Sequence, residues 1–388
     1  MVKKVFPLIF AIIICLSAVF APLKTAAYEP TGVNVRAKAG MHVSMDTGEI
    51  LYSNNADQKV YPASITKIMT VTLMLQSEKY NPEAKIAMTK EVLDLVLGTG
   101  SSVSNLKAGE EITQLDLVYM VLMSSFGDCA YLAAVYYGGS VEAFVDMMNA
   151  KAEELGLTGT HYSNPVGLHD EATYTTVNDV YRLTTYALKS ETFKTVCESA
   201  RYTVEATNMS GKRVISTTNL MQDTTTNYYY QYAHGVKTGY TDEAGRCLVS
   251  TASHNGYNYM CILMNSPPKA DRRDVFIDSA DLYRWAFNKF SFKEVANSTD
   301  PVCEMPVKLS LHTDFVSLYF EKPFITVLPN EADDSTIVVK YNLKSKSTDA
   351  PVKKGAVLGS ADIIYAERVI GTVNLVAGAD IKESKLLI

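Results

Sequence analysis

Ser64 and Lys67, three residues apart in Tyr61-Pro62-Ala63-Ser64-Ile65-Thr66-Lys67, are of the types that make a nucleophile and its base. A hydroxyl attacks a carbonyl once its proton is taken, and a neighbouring amine can take it. Pro62 favours an extended approach and suits a helix start, and Ile65, Ile68, Met69, Val71, Leu73, Met74 and Leu75 predict a helix buried on most sides. Starting near Ser64, that helix presents Ser64 and Lys67 on one face, one turn apart. Its unpaired first-turn N–H groups, at the positive end of the helix dipole, would stabilise an oxyanion formed beside Ser64.

Ser-x-x-Lys also occurs at Ser104 to Lys107, which reads as a loop, and at Ser266 to Lys269, where Pro267-Pro268 forbids a helical turn. Taken alone, the first occurrence has an ordinary reading, an N-cap serine followed by a solvated lysine. Lys237-Thr238-Gly239 occurs once. On a strand, Lys237 and Thr238 point to opposite faces, and Gly239 removes a side chain that would obstruct a ligand lying against the strand. An edge strand of this kind can bind an extended peptide through its main chain while the cation and hydroxyl receive a carboxylate. Its ordinary reading is a strand ending in a turn.

The elements that position these residues follow from periodicity and turn residues. His42 to Met45 and Glu49 to Tyr52 form a predicted hairpin around Asp46-Thr47-Gly48. Thr113 caps an apolar segment Leu115 to Met123, Ser124-Ser125-Phe126-Gly127-Asp128 interrupts it, and Cys129 to Tyr137 continues it, so Ser125 sits between two helices. Ser140 caps a helix through Leu155 with Gly156 as its stop, Asn164-Pro165-Val166-Gly167-Leu168 is a turn, and Val177 to Leu188 is amphipathic. Strands are predicted at 203–206, 213–216, 235–240, 247–252 and 257–264, and a helix over 274–287. Helices inside a chain with strands near both ends indicate an α+β domain whose antiparallel sheet joins its termini. Beyond about Ser291 only short strand-like runs remain, among them Phe315 to Phe320, Ile337 to Tyr341 and Val369 to Val376, which indicates a small β domain.

The 388 residues suit two or three domains. Met1-Val2-Lys3-Lys4, the apolar run Val5 to Phe20 and the small residues before Ala27 read as a secretory signal peptide over 1–27, which puts the mature protein outside the cytoplasm. Removing Lys3, Lys4 and Lys24 takes the net charge from -6 to -9, and no dense basic stretch offers a track for nucleic acid. Five cysteines then remain (Cys129, Cys197, Cys247, Cys261 and Cys303) without CxxC spacing, which argues against a full disulfide framework and a zinc site. They read as buried thiols, with one disulfide left open. No HExxH and no evident Ser-His-Asp triad is present, and no cofactor is expected. The end of the chain, from Asp380, is too short and polar to anchor it in a membrane by itself.

The order Ser64-Ile65-Thr66-Lys67, Ser125 between helices, then Lys237-Thr238-Gly239 on a strand resembles the penicillin-recognising serine enzymes. Tyr61-Pro62-Ala63-Ser64, Asn164-Pro165-Val166-Gly167-Leu168 and the run from His234 to Gly245 sharpen the resemblance to low-molecular-mass D-alanyl-D-alanine carboxypeptidases among the penicillin-binding proteins. The similarity runs from about Ala37 to about Phe287, and the trailing β domain suits the same architecture. It implies a penicillin-binding-protein/β-lactamase-like transpeptidase domain over 28–292 and a β domain over 293–388. It also implies that Ser64 forms an acyl-enzyme with a peptidoglycan stem peptide ending in D-Ala-D-Ala, and that β-lactams bind covalently. Lys67 would be the base, Ser125 a proton relay, Lys237 and Thr238 the carboxylate site, and the N–H groups of Ser64 and Tyr240 the oxyanion hole. One position departs: Gly127 stands where the family's middle motif, Ser-x-Asn, has asparagine. Water, Asn219 or Asn105 are the candidates to replace that amide, and a weak or inactive envelope-binding relative is the alternative function. A class A β-lactamase is disfavoured because no Glu-x-x-Leu-Asn segment lies between Asp128 and Lys237.

Overall fold

A computed structural model describes residues 28–269 and 273–384. The predicted leader and the last four residues of the C-terminal tail lie outside the described residues.

Five antiparallel strands form the central sheet in the order Ile50–Asn54, Ala39–Ser44, Tyr257–Ser266, Gly245–His254, Ala233–Thr241. The first hairpin therefore pairs with the last strand of the domain, as expected from strands near both ends. Ala233–Thr241, which carries Lys237-Thr238-Gly239, is an edge. Side chains alternate across the sheet: Met260, Ile262 and Met264 enter one core, while Tyr259, Cys261 and Leu263 enter another beneath the helix Asp274–Lys289. Covered on both faces, the strand reads in sequence as a continuous apolar run.

On the first face the helix Lys67–Gln76 is central, with every residue from Lys67 to Met74 buried. Around it pack Gln114–Leu122, Gly127–Gly138, Val141–Glu154, Val177–Ala187 and Glu191–Glu198. Their starts are chemical: Thr113 and Asp116 form a capping box, and Ser140, Thr176 and Ser190 each accept an N–H from the first turn. Truncating a fully buried Ile68 or Met69 would cost about 2–5 kcal/mol, so this helix is a fixed reference for whatever it carries.

One expectation changes in kind. Ala63–Thr66 is a 3-10 turn that runs into the α-helix at Lys67, rather than the α-helix beginning at Ser64.

The strand Phe290–Ala296 follows directly on the helix Asp274–Lys289 and pairs with Phe324–Pro329. Beyond it a six-stranded sheet has the order Val338–Leu343, Val357–Tyr365, Arg368–Ala377, Phe315–Phe320, Cys303–Lys308, Thr348–Asp349. It closes over its own core, which includes Leu318, Ile363, Val373 and Leu375. The chain is thus an α+β domain followed by an all-β domain, as the sequence predicts. The five described cysteines are free thiols, four of them buried, so the disulfide left open by the sequence does not form among them.

Candidate active site

A 3-10 turn has three residues per turn, so positions i and i+3 eclipse. Ser64 and Lys67 are such a pair, and Lys67 Nζ donates to Ser64 Oγ at 2.9 Å. A second bond from the same ammonium goes to the Val166 carbonyl at 2.8 Å. That carbonyl belongs to the Asn164-Pro165-Val166-Gly167-Leu168 turn, for which the sequence reading named no contact with Lys67. Asn164 Oδ1 accepts the N–H groups of Val166, Gly167 and Leu168 at 3.1, 2.7 and 3.1 Å, and Thr70 Oγ1 donates to Pro165 O at 2.7 Å. The turn is therefore a clamp that orients Lys67 toward Ser64.

Lys67 is 1% exposed, and burial lowers its pKa from the ordinary 10.5 to about 7. Cys129 and Asp128 act in the opposite direction. Burial itself pushes the Cys129 thiol far above its ordinary range. Burial also drives Lys237 well below the ordinary lysine range, and the charge of Lys67 drives it further. Repulsion between two ammonium groups is mutual, so the pair favours carrying one proton fewer than two isolated lysines. For Lys67 itself, burial is the cause of the fall.

Lys237 lies under the edge strand and donates to its neighbour's carbonyl, Thr238 O, at 3.0 Å. Thr238 Oγ1 shares a 2.6 Å hydrogen bond with Thr218 Oγ1. A Cβ on Gly239 would lie 3.0 Å from Pro62 O and 3.1 Å from Ser64 N. The close approach that favours glycine there is made by the Ser64 turn itself, whereas the sequence reading assigned it to a ligand. Ser64, Ser125, Thr238, Gly239 and Tyr240 line one cleft of ≈ 590 Å³, with Lys67 and Lys237 beneath it.

Ser125 has φ +64 in the turn between its two helices, and its carbonyl accepts from Ser102 Oγ at 2.7 Å. It shares the cleft with Ser64, but no hydrogen bond joins its hydroxyl to Ser64 or Lys67 among the described residues. Asn219 does not replace the amide missing at Gly127: it is buried, donates to Gly235 O at 2.6 Å and accepts from Met221 N at 3.1 Å. Asn105 is exposed and is not part of the cleft wall. Sequence reasoning missed Thr218, Arg246 and Arg273, which also line the cleft, with the Arg246 guanidinium 5.0 Å from the Tyr240 ring centre. A lone threonine carries no motif, and both arginines come near the site only through folding.

Residues 24–268 match the D-alanyl-D-alanine carboxypeptidase family of peptidase S11, and residues 306–383 match the penicillin-binding protein 5 C-terminal domain. The chain is 27% identical to D-alanyl-D-alanine carboxypeptidase DacF of Bacillus subtilis, over 90% of this chain and 86% of that protein. It is 33% identical to a D-alanyl-D-alanine carboxypeptidase of Streptomyces sp. strain K15, over 60% of this chain and 80% of that one. Penicillin binding protein 5 of Haemophilus influenzae shares the fold with a TM-score of 0.72, at 24% identity, over 90% of this chain and 98% of the other. The Streptomyces K15 DD-transpeptidase superposes with a TM-score of 0.60 at 29% identity, over 66% of this chain and 98% of its own. With the family match covering most of the chain around the Ser64 cleft and a second match covering the β domain, the protein belongs to the D-alanyl-D-alanine carboxypeptidase family of penicillin-binding proteins.

Proposed function

We propose that this chain is a serine-type carboxypeptidase that removes the terminal D-Ala from peptidoglycan stem peptides outside the cytoplasm, and that β-lactams acylate the same serine. The observation that carries the reading is the 2.9 Å contact between Ser64 Oγ and a fully buried Lys67 whose pKa lies at about 7. A neutral amine at that distance accepts the hydroxyl proton as Oγ attacks the carbonyl of the penultimate D-Ala. The tetrahedral oxyanion is held by the N–H groups of Ser64 and Tyr240. The C–N bond then breaks, the departing amine takes the proton from Lys67 by way of Ser125, and D-Ala leaves. Water hydrolyses the remaining Ser64 ester and restores the hydroxyl.

Lys237 and Thr238 receive the free terminal carboxylate, which gives a preference for chain ends. Charge coupling supports the division of labour: a carboxylate arriving beside Lys237 favours the ammonium there, and repulsion from it favours neutral Lys67. Residues 28–292 form the catalytic part of this reading and 293–388 its β domain.

Release of D-Ala from a peptide ending in D-Ala-D-Ala, compared between residues 28–388 and the same chain with Ser64→Ala, tests the reading. Release that disappears with Ser64→Ala supports it. No release from the folded wild-type protein over a range of stem peptides replaces it with the binding role that Gly127 suggested.

A further inference from the structure

Gly127 opens the helix Gly127–Gly138 two residues after Ser125. A Cβ built on it would lie 2.0 Å from Ser101 Oγ, and 3.1 Å from both Ser101 Cβ and Val166 Cγ1. A side chain at 127 and the side chain of Ser101 therefore compete for one volume, and Ser101 holds it. The segment bearing Ser101 is fastened to the Ser125 turn on several sides. Gly127 N donates to Ser102 O at 2.8 Å, and Ser102 Oγ donates to Ser125 O at 2.7 Å. The Asp128 carboxylate accepts the Ser104 N–H at 2.9 Å and the Ser104 hydroxyl at 2.6 Å. Ser101 N donates to Thr99 Oγ1 at 3.2 Å, while its own hydroxyl bonds no protein group among the described residues and borders the same cleft as Ser64 and Ser125. A hydroxyl can donate and accept at once, so this one is free to bond a peptide amide laid in the cleft.

We propose that Ser101 is a substrate-binding residue of this site, its hydroxyl bonding the main-chain amide of the bound peptide beside Ser125 in the volume that a residue-127 side chain would otherwise fill. The proposal rests on the carboxypeptidase reading above. On this account glycine at 127 is the counterpart of serine at 101, and the two positions form one exchangeable unit.

The test compares wild type, Ser101→Ala, Gly127→Asn and the double variant Ser101→Gly/Gly127→Asn in the chain 28–388. It follows D-Ala release, acylation by a fluorescent penicillin and the melting midpoint. Ser101→Ala is expected to lower kcat/KM for the peptide by about three- to tenfold, the scale of one hydrogen bond, with an unchanged melting midpoint. Gly127→Asn is expected to be slower than wild type because its side chain meets Ser101, and removing the Ser101 side chain is expected to restore part of the rate. Wild-type kcat/KM in Ser101→Ala, or a loss matched by a lowered melting midpoint, overturns the role of Ser101 while wild-type release still supports the underlying reading. A double variant no faster than Gly127→Asn alone overturns the shared volume. No D-Ala release from wild type overturns the underlying reading and the proposal with it.

Discussion

Gly167 is pressed against Ala63 so closely that a Cβ on the glycine would lie 1.8 Å from the Ala63 carbonyl oxygen. Its φ is +83, and Ala63 itself has φ +47, so two tight turns meet at the foot of Ser64. The contact carries information from one turn to the other: Gly167 follows Val166, whose carbonyl orients Lys67, and Ala63 precedes Ser64.

Gly167→Ala should therefore disturb both stability and chemistry. A Cβ at that distance must displace backbone, and the positive φ adds strain, so a cost of about 2–4 kcal/mol is expected. The melting midpoint should fall by roughly 5–10 °C, and acylation by a penicillin reporter should slow more than tenfold as the Lys67–Ser64 contact opens. Wild-type acylation in this variant would show that the turn does not orient Lys67.

Activity should depend on pH through Lys67. With a pKa of about 7, the amine is protonated and unable to accept the Ser64 proton below that value. A pH–rate profile of D-Ala release should accordingly show kcat/KM rising with pH to a plateau, falling about tenfold per unit on the acid side. Stability should follow the same group. The unfolded chain holds the Lys67 proton up to its ordinary 10.5 whereas the folded chain releases it near 7, so between these values folding stability rises with pH. Lys67→Met should abolish release without lowering the melting midpoint at pH 7, and should flatten that part of the stability profile.

Thr218→Val should act on binding more than on turnover. Thr218 Oγ1 fixes Thr238 Oγ1 at 2.6 Å, so losing it frees the hydroxyl assigned to the terminal carboxylate. KM for peptides with a free C-terminus should rise by about three- to tenfold with kcat within about twofold. A fall in kcat at unchanged KM would instead assign Thr218 to the chemistry.

Asp128→Asn should loosen the segment that lines the cleft opposite the edge strand. Its carboxylate accepts from Ser104 N, Ser104 Oγ and Cys129 N, all in a buried setting. Replacing those charge-assisted bonds by weaker ones should cost about 1–3 kcal/mol. Amide hydrogen exchange at Ser104 should speed up well beyond that of the Lys67–Gln76 helix. Unchanged protection would mean that Asp128 does not hold the segment.

By itself the sequence determined most of what is local. The Thr113 and Ser140 caps, the first hairpin and the apolar strand Tyr257–Ser266 are written in side-chain chemistry and short runs. Ser64, Lys67, Ser125 and the Lys237-Thr238-Gly239 strand were visible for the same reason, each being a short run whose residue types carry meaning. The strands Cys303–Lys308 and Val357–Tyr365 were not, since Pro306 and Gly359 interrupt their patterns, while the short helix Glu191–Glu198, with Phe193, Val196 and Cys197 on its buried face, carries a legible pattern that the reading passed over.

Tertiary structure alone decided what meets across the chain. The Asn164 turn holds Lys67 from 99 residues away, Gly239 admits the Ser64 turn, and Ser101 fills the volume beside Gly127. No local period encodes such meetings, because each depends on how closely two backbones approach once the core has closed. A glycine reads in sequence as freedom, and only the folded chain shows which neighbour occupies the space it leaves.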